Sequence, residues 1–291
     1  MRDEAGTRAT GTRAIEEADE AIRLNPQDAA AYSNRGNAYA WSGEDERAIQ
    51  DYDEAIRLSP EVATTYAFRG GAFDSLGQLE RAIEDYDEAL RLDPRYAPVY
   101  RYRGQAYASS GRVERAIQDY DELIRLTPQD ADAFIGRGKL HMLVAIDEQD
   151  YEKRSDQINH AIQDFNEAFR LDPDNPEALV HYGMAFAFLG QFIDAIDIFD
   201  MAIDRHPGYA PAYYFRGSAK ADRGEHQAAI EDFDGAVRLN PEYAAAYDHR
   251  ARTCTQLGND AQAQRDLDRA VELGSDRATL EGAIKEIKEN R

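Results

Sequence analysis

The 291-residue chain carries 56 acidic side chains against 34 lysines and arginines, a net charge of −22, with 43% hydrophobic residues. That balance excludes a nucleic-acid surface, which needs a cationic face to displace counterions from phosphate, and it disfavours anionic lipid. A single cysteine, Cys254, excludes an internal disulfide framework, and no run approaches the roughly 18 uncharged apolar residues that would span a bilayer.

From the N-terminus, residues 1–12 are rich in Thr, Gly and Arg and are expected to lack fixed structure. Met1 to Ile15 hold no apolar core of signal-peptide length, so a cytoplasmic protein is expected. Residues 13–26, RAIEEADEAIRLNP, read as the second helix of a hairpin whose first helix is missing, a half-unit over 13–28.

The closing phrase of that half-unit then recurs. AIRLNP ends at Pro26, AIRLSP at Pro60, ALRLDP at Pro94, LIRLTP at Pro128, AFRLDP at Pro173, AIDRHP at Pro207 and AVRLNP at Pro241. The spacings are 34, 34, 34, 45, 34 and 34 residues, which makes seven units over 29–275. Position eight of each unit is small (Gly36, Gly70, Gly104, Gly138, Gly183, Gly217, Ala251), and position twenty is alanine, from Ala48 to Ala263. Turn glycines fall between them, at Gly43, Gly77, Gly111, Gly190, Gly224 and Gly258. Aromatics recur at position four, as Tyr32 and Tyr66, and at position twenty-four, as Tyr52 and Phe165.

Each unit therefore holds two helical patterns, A and B, with apolar residues three and four apart and a glycine turn between. Small residues at positions eight and twenty let A and B approach, and the large aromatics fill the remaining gaps. Proline at position thirty-two ends helix B, whereas Pro98 and Pro211 sit in the first turn of helix A, where a missing N–H costs nothing.

The fourth unit carries 11 extra residues, at about 145–155, without proline or glycine from Lys139 to Phe165. Helix A is expected to run on by about two turns and reverse near 153–156, with Ser155 or Asp156 as the next cap; an exposed loop is the alternative. Past residue 275, Leu280, Ile284 and Ile287 stripe a charged helix over 276–291, read as a cap on the last unit.

Nothing in the pattern points to catalysis. The carboxylates of QDYDEA and EDYDEA form a solvated helix face with local ion pairs worth a few tenths of a kcal/mol each. Six histidines show no HExxH spacing, Cys254 has no cysteine partner, and there is neither a phosphate-cradling glycine loop nor a GxSxG elbow. The chain is expected to be no enzyme and to need no metal or cofactor.

Across about residues 13–275 the pattern resembles the tetratricopeptide repeat family. Leu179, His141, Lys220 and Cys254 stand where the other units carry aromatics. The resemblance implies an all-α solenoid, a right-handed superhelix of helix-turn-helix repeats whose A helices line a concave groove that holds partners. Carried over position by position, the groove residues are Asn34, Asn37, Trp41, Phe68, Arg101, Tyr102, Gln105, Ile135, Lys139, Met142, His181, Met184, Tyr214, Phe215 and Arg252.

Acidic residues are sparse in the A patterns, so the groove is expected to be near-neutral to mildly basic. Arginine at position seven in every unit but one (Arg35, Arg69, Arg103, Arg137, Arg216, Arg250) reads as a link between repeats rather than a partner contact. The clamp of Lys, Asn and Arg by which some family members hold a chaperone tail is not completed. Ser33, Phe68, Pro98 and Tyr102 replace its members, and only Asn37 is kept.

The leading expectation is an interaction scaffold that binds an extended peptide or helix, with no nucleic acid and no membrane insertion. Two alternatives stay open. One is a self-assembling scaffold, a homo-oligomer built through the N-terminal half-unit; the other is the regulatory segment of a larger enzyme.

Overall fold

A glycine in every A–B turn but that of the fourth unit, and a proline after every B helix but the last, cut most of the chain into helices of 13 or 14 residues. The computed structural model of the chain describes residues 4–290, with side chains from residue 11 onward. Its sixteen helices fall into two units, 1–133 and 134–291.

In the first unit, α1 (Glu4–Leu24) packs on α2 (Ala29–Trp41), and the hairpins α2/α3 (Asp45–Leu58), α4 (Ala63–Ser75)/α5 (Leu79–Leu92) and α6 (Ala97–Ser109)/α7 (Val113–Leu126) follow. In the second come α8 (Ala131–Asp147), which straddles the division, and α9 (Tyr151–Leu171). Then follow α10 (Pro176–Phe188)/α11 (Phe192–Arg205), α12 (Ala210–Asp222)/α13 (His226–Leu239), α14 (Ala244–Gln256)/α15 (Asp260–Glu272) and a last helix, α16 (Arg277–Asn290). The fold is all-α, with no strand among the described residues.

Two boundaries differ from the sequence reading. Helix α1 begins at Glu4, so residues 4–12 continue the half-unit's helix; residues 1–3 lie outside the described residues. The insertion lengthens helix B more than helix A. Against 13 and 14 residues elsewhere, α8 has 17 and α9 has 21, and the chain reverses at residues 148–150. The cap is Asp150, whose carboxylate accepts hydrogen bonds from Glu152 N (2.9 Å) and Lys153 N (3.2 Å). An aspartate in extended conformation satisfies two first-turn donors at once, so helix B starts there and Ser155 and Asp156 fall inside it.

The small residues at position eight are read directly from the packing. A Cβ built on Gly36 would stand 2.7 Å from the Tyr52 ring, on Gly138 2.7 Å from Phe165, and on Gly183 2.5 Å from Phe199. Only glycine lets helix A press on the position-twenty-four aromatic of its own helix B. Those aromatics are the deepest large side chains: Tyr52, Tyr86, Phe165, Phe199 and Phe233 are each at most 1% exposed. The turn glycines need a different freedom. Gly43 adopts φ +76°, which lets Glu44 N close on Tyr39 O at 2.9 Å and end the A helix.

Arginine at position seven forms a clasp between neighbouring hairpins. Arg35 donates Nε and Nη2 to Asp51 of its own helix B (2.8 and 2.6 Å) and Nη1 to Asp19 of the helix B before it (2.6 Å). Arg69 repeats this with Asp85 and Asp53, Arg103 with Asp119 and Asp87, and Arg250 with Asp266 and Asp234. The carboxylate on the arginine's own hairpin is buried each time. Burial pushes the Asp85 and Asp119 carboxyls up, against the pull of the guanidinium.

In the hairpin that lacks the arginine, Tyr182 stands in its place, Ile198 replaces the buried aspartate and Asn166 replaces the outer one. All three partners have changed together, and Tyr182 packs against the cluster that contains Ile198.

Lys220, anomalous in sequence, sends Nζ to within 2.8 Å of Asp232, the partner of Arg216. Cys254 is fully buried and its thiol is pushed up to about 11 by burial, so it is an inert packing group. Leu179 is likewise completely buried. Helix α16 lays Leu280 and Ile284 against Ala251, Leu267 and Ala270.

Candidate functional site

The A-helix face is built from positions six and nine, one helical turn apart. Position six places a ring on the position-twenty-four aromatic of the preceding hairpin. In the first unit Phe68 stacks on Tyr52 (centroids 6.3 Å) and Tyr102 on Tyr86 (6.2 Å). In the second, His181 lies on Phe165 (5.5 Å), Phe215 on Phe199 (6.2 Å), and His249 edge-on to Phe233 (6.0 Å). Phe68 and Tyr102 are nonetheless 42% and 46% exposed. One face of each ring is spent on packing between repeats and much of the rest stays open.

Position nine secures the phenol below. Tyr52 OH donates to Asn37 Oδ1 at 2.8 Å, and the Gln105 side chain is hydrogen-bonded to the Tyr120 hydroxyl. Helix α4 departs from this rule, with Gly71 at position nine and Asp74 at position twelve, where α2 and α6 have Ala40 and Ala108. Sequence reading passed over both residues, although two adjacent breaks in a regular repeat were the available signal.

The cations expected on this face are all engaged. Arg101 is paired with Asp130, Lys139 with Glu177, and Arg252 holds Asp248 through two bonds of 2.6 and 2.9 Å. The expected mildly basic character is thereby offset, because each cation has a carboxylate within one repeat. Ile135 and Met142 do not line a surface: they are 4% and 8% exposed, packed as core.

Asn34 is exposed and Trp41 is 83% exposed, while Met184 and Phe215 pack partly against the Phe199 cluster. Tyr214 OH lies 3.1 Å from His249 Nε2, and Ser218 Oγ 3.3 Å from Nδ1. His249 and Ser218 are thus part of this face, and sequence reading omitted them. Burial pushes the His249 ring down and the Tyr214 phenol up, so both stay neutral near pH 7.

His181 makes this face pH-sensitive. Its Nε2 is 3.6 Å from Glu177 Oε1, the oxygen that also holds Lys139. Burial pushes its pKa down to about 4, with Lys139 adding to that shift and Glu177 opposing it. The folded value lies below the unfolded one of about 6.5, so neutral His181 stabilises the fold fully above about pH 6.5 and loses that contribution as pH falls towards 4. Acidifying from about pH 7 to about pH 5 should therefore cost the wild type about 1–2 kcal/mol more than His181→Phe. Urea titrations at both pH values measure this, and identical losses would mean the ring is not held neutral.

Among the described residues no group of three or more His, Cys, Asp or Glu could hold a metal ion, and no helix is long and apolar enough to cross a membrane.

The models of the tetratricopeptide repeat match residues 29–62, 69–131, 150–210, 186–245 and 214–278. Among curated proteins no sequence matches the chain. Among solved structures it is similar to a tetratricopeptide repeat protein from Parabacteroides merdae, with a TM-score of 0.70 and 19% identity over 90% of this chain and 99% of that one. It is also similar to YrrB, a tetratricopeptide protein with an unusual peptide-binding site (TM-score 0.52, 27% identity, 67% of this chain and 95% of that one). A third is the APC/C hetero-tetramer Cut9–Hcn1, with a TM-score of 0.62 and 16% identity over 97% of this chain and 53% of that one. Repeats of this kind generally mediate contacts between proteins. With the family's models matching most of its length and its hairpins built on glycine–aromatic contacts, the chain belongs to the tetratricopeptide repeat family.

Proposed function

We propose that the protein is an interaction scaffold that holds an extended segment of a partner protein on the A-helix face, with the stretch on α2, α4 and α6 as its best-formed part. The observation that carries this is the pair of rings at Phe68 and Tyr102, half exposed although each is anchored on a buried tyrosine. A ring fixed by stacking has already lost its rotamer entropy, so a partner that covers it gains apolar contact at little ordering cost. Asn34, exposed one turn before Asn37 on α2, offers its amide to a partner backbone. Peptide binding by YrrB, a protein of the same family, supports the reading.

Peptides selected on the wild-type chain from a random 12-residue display library are expected to lose about tenfold or more in affinity on a Phe68→Ala, Tyr102→Ala variant. Helicity should stay unchanged. Peptides that bind both proteins equally overturn the proposal.

A further inference from the structure

The departure in α4 leaves a notch. A Cβ added to Gly71 would meet only one heavy atom within 4 Å, the Tyr86 hydroxyl oxygen at 3.9 Å. The neighbouring phenols, Tyr52 and Tyr120, are held by Asn37 and Gln105. Tyr86 has no such side chain above it, and its oxygen forms the floor of the opening. Tyr102 stacks on the Tyr86 ring and forms one wall. Phe68 lies one turn before Gly71 on the same helix face, and Asp74 lies one turn after it.

The Asp74 carboxylate is half-buried and, among the described residues, has neither a salt bridge nor a side-chain hydrogen bond. Burial pushes its pKa up, and its charge in turn helps to push the Tyr86 phenol up. The nearest predicted groove cation, Arg101, is already paired with Asp130. The notch thus offers a carboxylate, a phenol oxygen and aromatic faces, with no cation of its own to satisfy them.

We infer that this notch receives a basic side chain, an arginine or lysine carried by the partner segment, with Asp74 as counter-ion and Tyr102 as the ring its cationic head covers. The inference rests on the A-helix face being the binding face. Charge complementarity selects the occupant. A carboxylate in the notch would face Asp74 unshielded, and a purely apolar group would leave both Asp74 and the Tyr86 oxygen desolvated without partners. A cation satisfies both and gains the attraction of the aromatic face. The chain's net charge of −22 draws basic segments towards it at low salt.

The test uses four pools of acetylated nonapeptides with random flanks and a fixed central residue: arginine, lysine, norleucine or glutamate. On the wild-type chain the arginine and lysine pools are expected to bind about tenfold more tightly than the other two. Gly71→Gln, which fills the notch and supplies Tyr86 with the partner that Gln105 gives Tyr120, should abolish the preference without loss of thermal stability. Asp74→Asn should do the same while leaving the notch open.

Equal binding of the arginine and norleucine pools, or a preference that survives both substitutions, overturns the inference. If all pools bind equally but weaken together on Phe68→Ala, Tyr102→Ala, the binding face stands and only the notch's role falls. If binding is untouched by that pair as well, both fall.

Discussion

Gly70→Ala is expected to lower the stability of the first unit by about 2 kcal/mol, while Gly71→Ala, at the next residue of the same helix, raises it by about 0.5–1 kcal/mol. Both substitutions gain the same helix propensity, because alanine loses less backbone entropy than glycine. They differ in what the new methyl meets. At Gly70 it would stand 2.7 Å and 2.9 Å from ring carbons of Tyr86 and 3.2 Å from the backbone oxygen of Ala82. Tyr86 is 1% exposed and pinned by Tyr102 from the other side, so the ring has nowhere to go and the helices must separate. At Gly71 the methyl enters open space above the Tyr86 hydroxyl. Hydrogen exchange of α4 and α5 amides is the proper measurement, because repeat arrays open locally and a single global midpoint can hide the change. Shifts of the same sign for both variants would contradict the packing described here.

Arg250→Met is expected to cost about 3–5 kcal/mol, the penalty of leaving a buried carboxylate without its counter-ion, with only the Gln262 amide still donating to it at 3.0 Å. Asp266 is only 2% exposed, and Arg250 donates to it through both Nε (2.8 Å) and Nη2 (2.6 Å). The outer partner, Asp234, is more than half exposed and adds little. Arg216→Met should cost clearly less, since Lys220 remains 2.8 Å from Asp232 and keeps its charge compensated.

The molecule itself supplies the rescue. Tyr182 and Ile198 occupy the same two positions in the hairpin without a clasp. Arg250→Tyr combined with Asp266→Ile should therefore fall within about 1 kcal/mol of the wild type, as apolar replacement of both members of a buried ion pair often does. Denaturation of the three variants decides it. A double variant no better than Arg250→Met would mean that the clasp contributes more than charge compensation.

The repeat architecture was legible because its constraints are local and periodic. A 34-residue period, a glycine opposite an aromatic in six of the seven units and a proline after every B helix but the last leave few other ways to bury the apolar stripes. The structural reading of the position-seven arginines was also within reach of sequence, since regularity across repeats marks packing more than recognition. Residues that break the period were harder to read. Whether eleven inserted residues lengthen α8 or α9 depended on which side chain could cap a helix, and Asp150 did so before Ser155 was reached.

The electrostatics of the A-helix face was settled only by tertiary structure. Sequence placed Arg101, Lys139 and Arg252 on that face and left it near-neutral to mildly basic. Folding brings Asp130, from 29 residues further along the chain, and Glu177, from 38 residues further along, onto the first two. Position counting likewise put Ile135 and Met142 on the surface, where packing buried them. Charge pairing and burial depend on which helices become neighbours, and at separations of 29 or 38 residues no local pattern in the chain records that choice. The period determined the hairpins; the three-dimensional neighbours decided that α4 keeps an open notch beside an unpaired carboxylate.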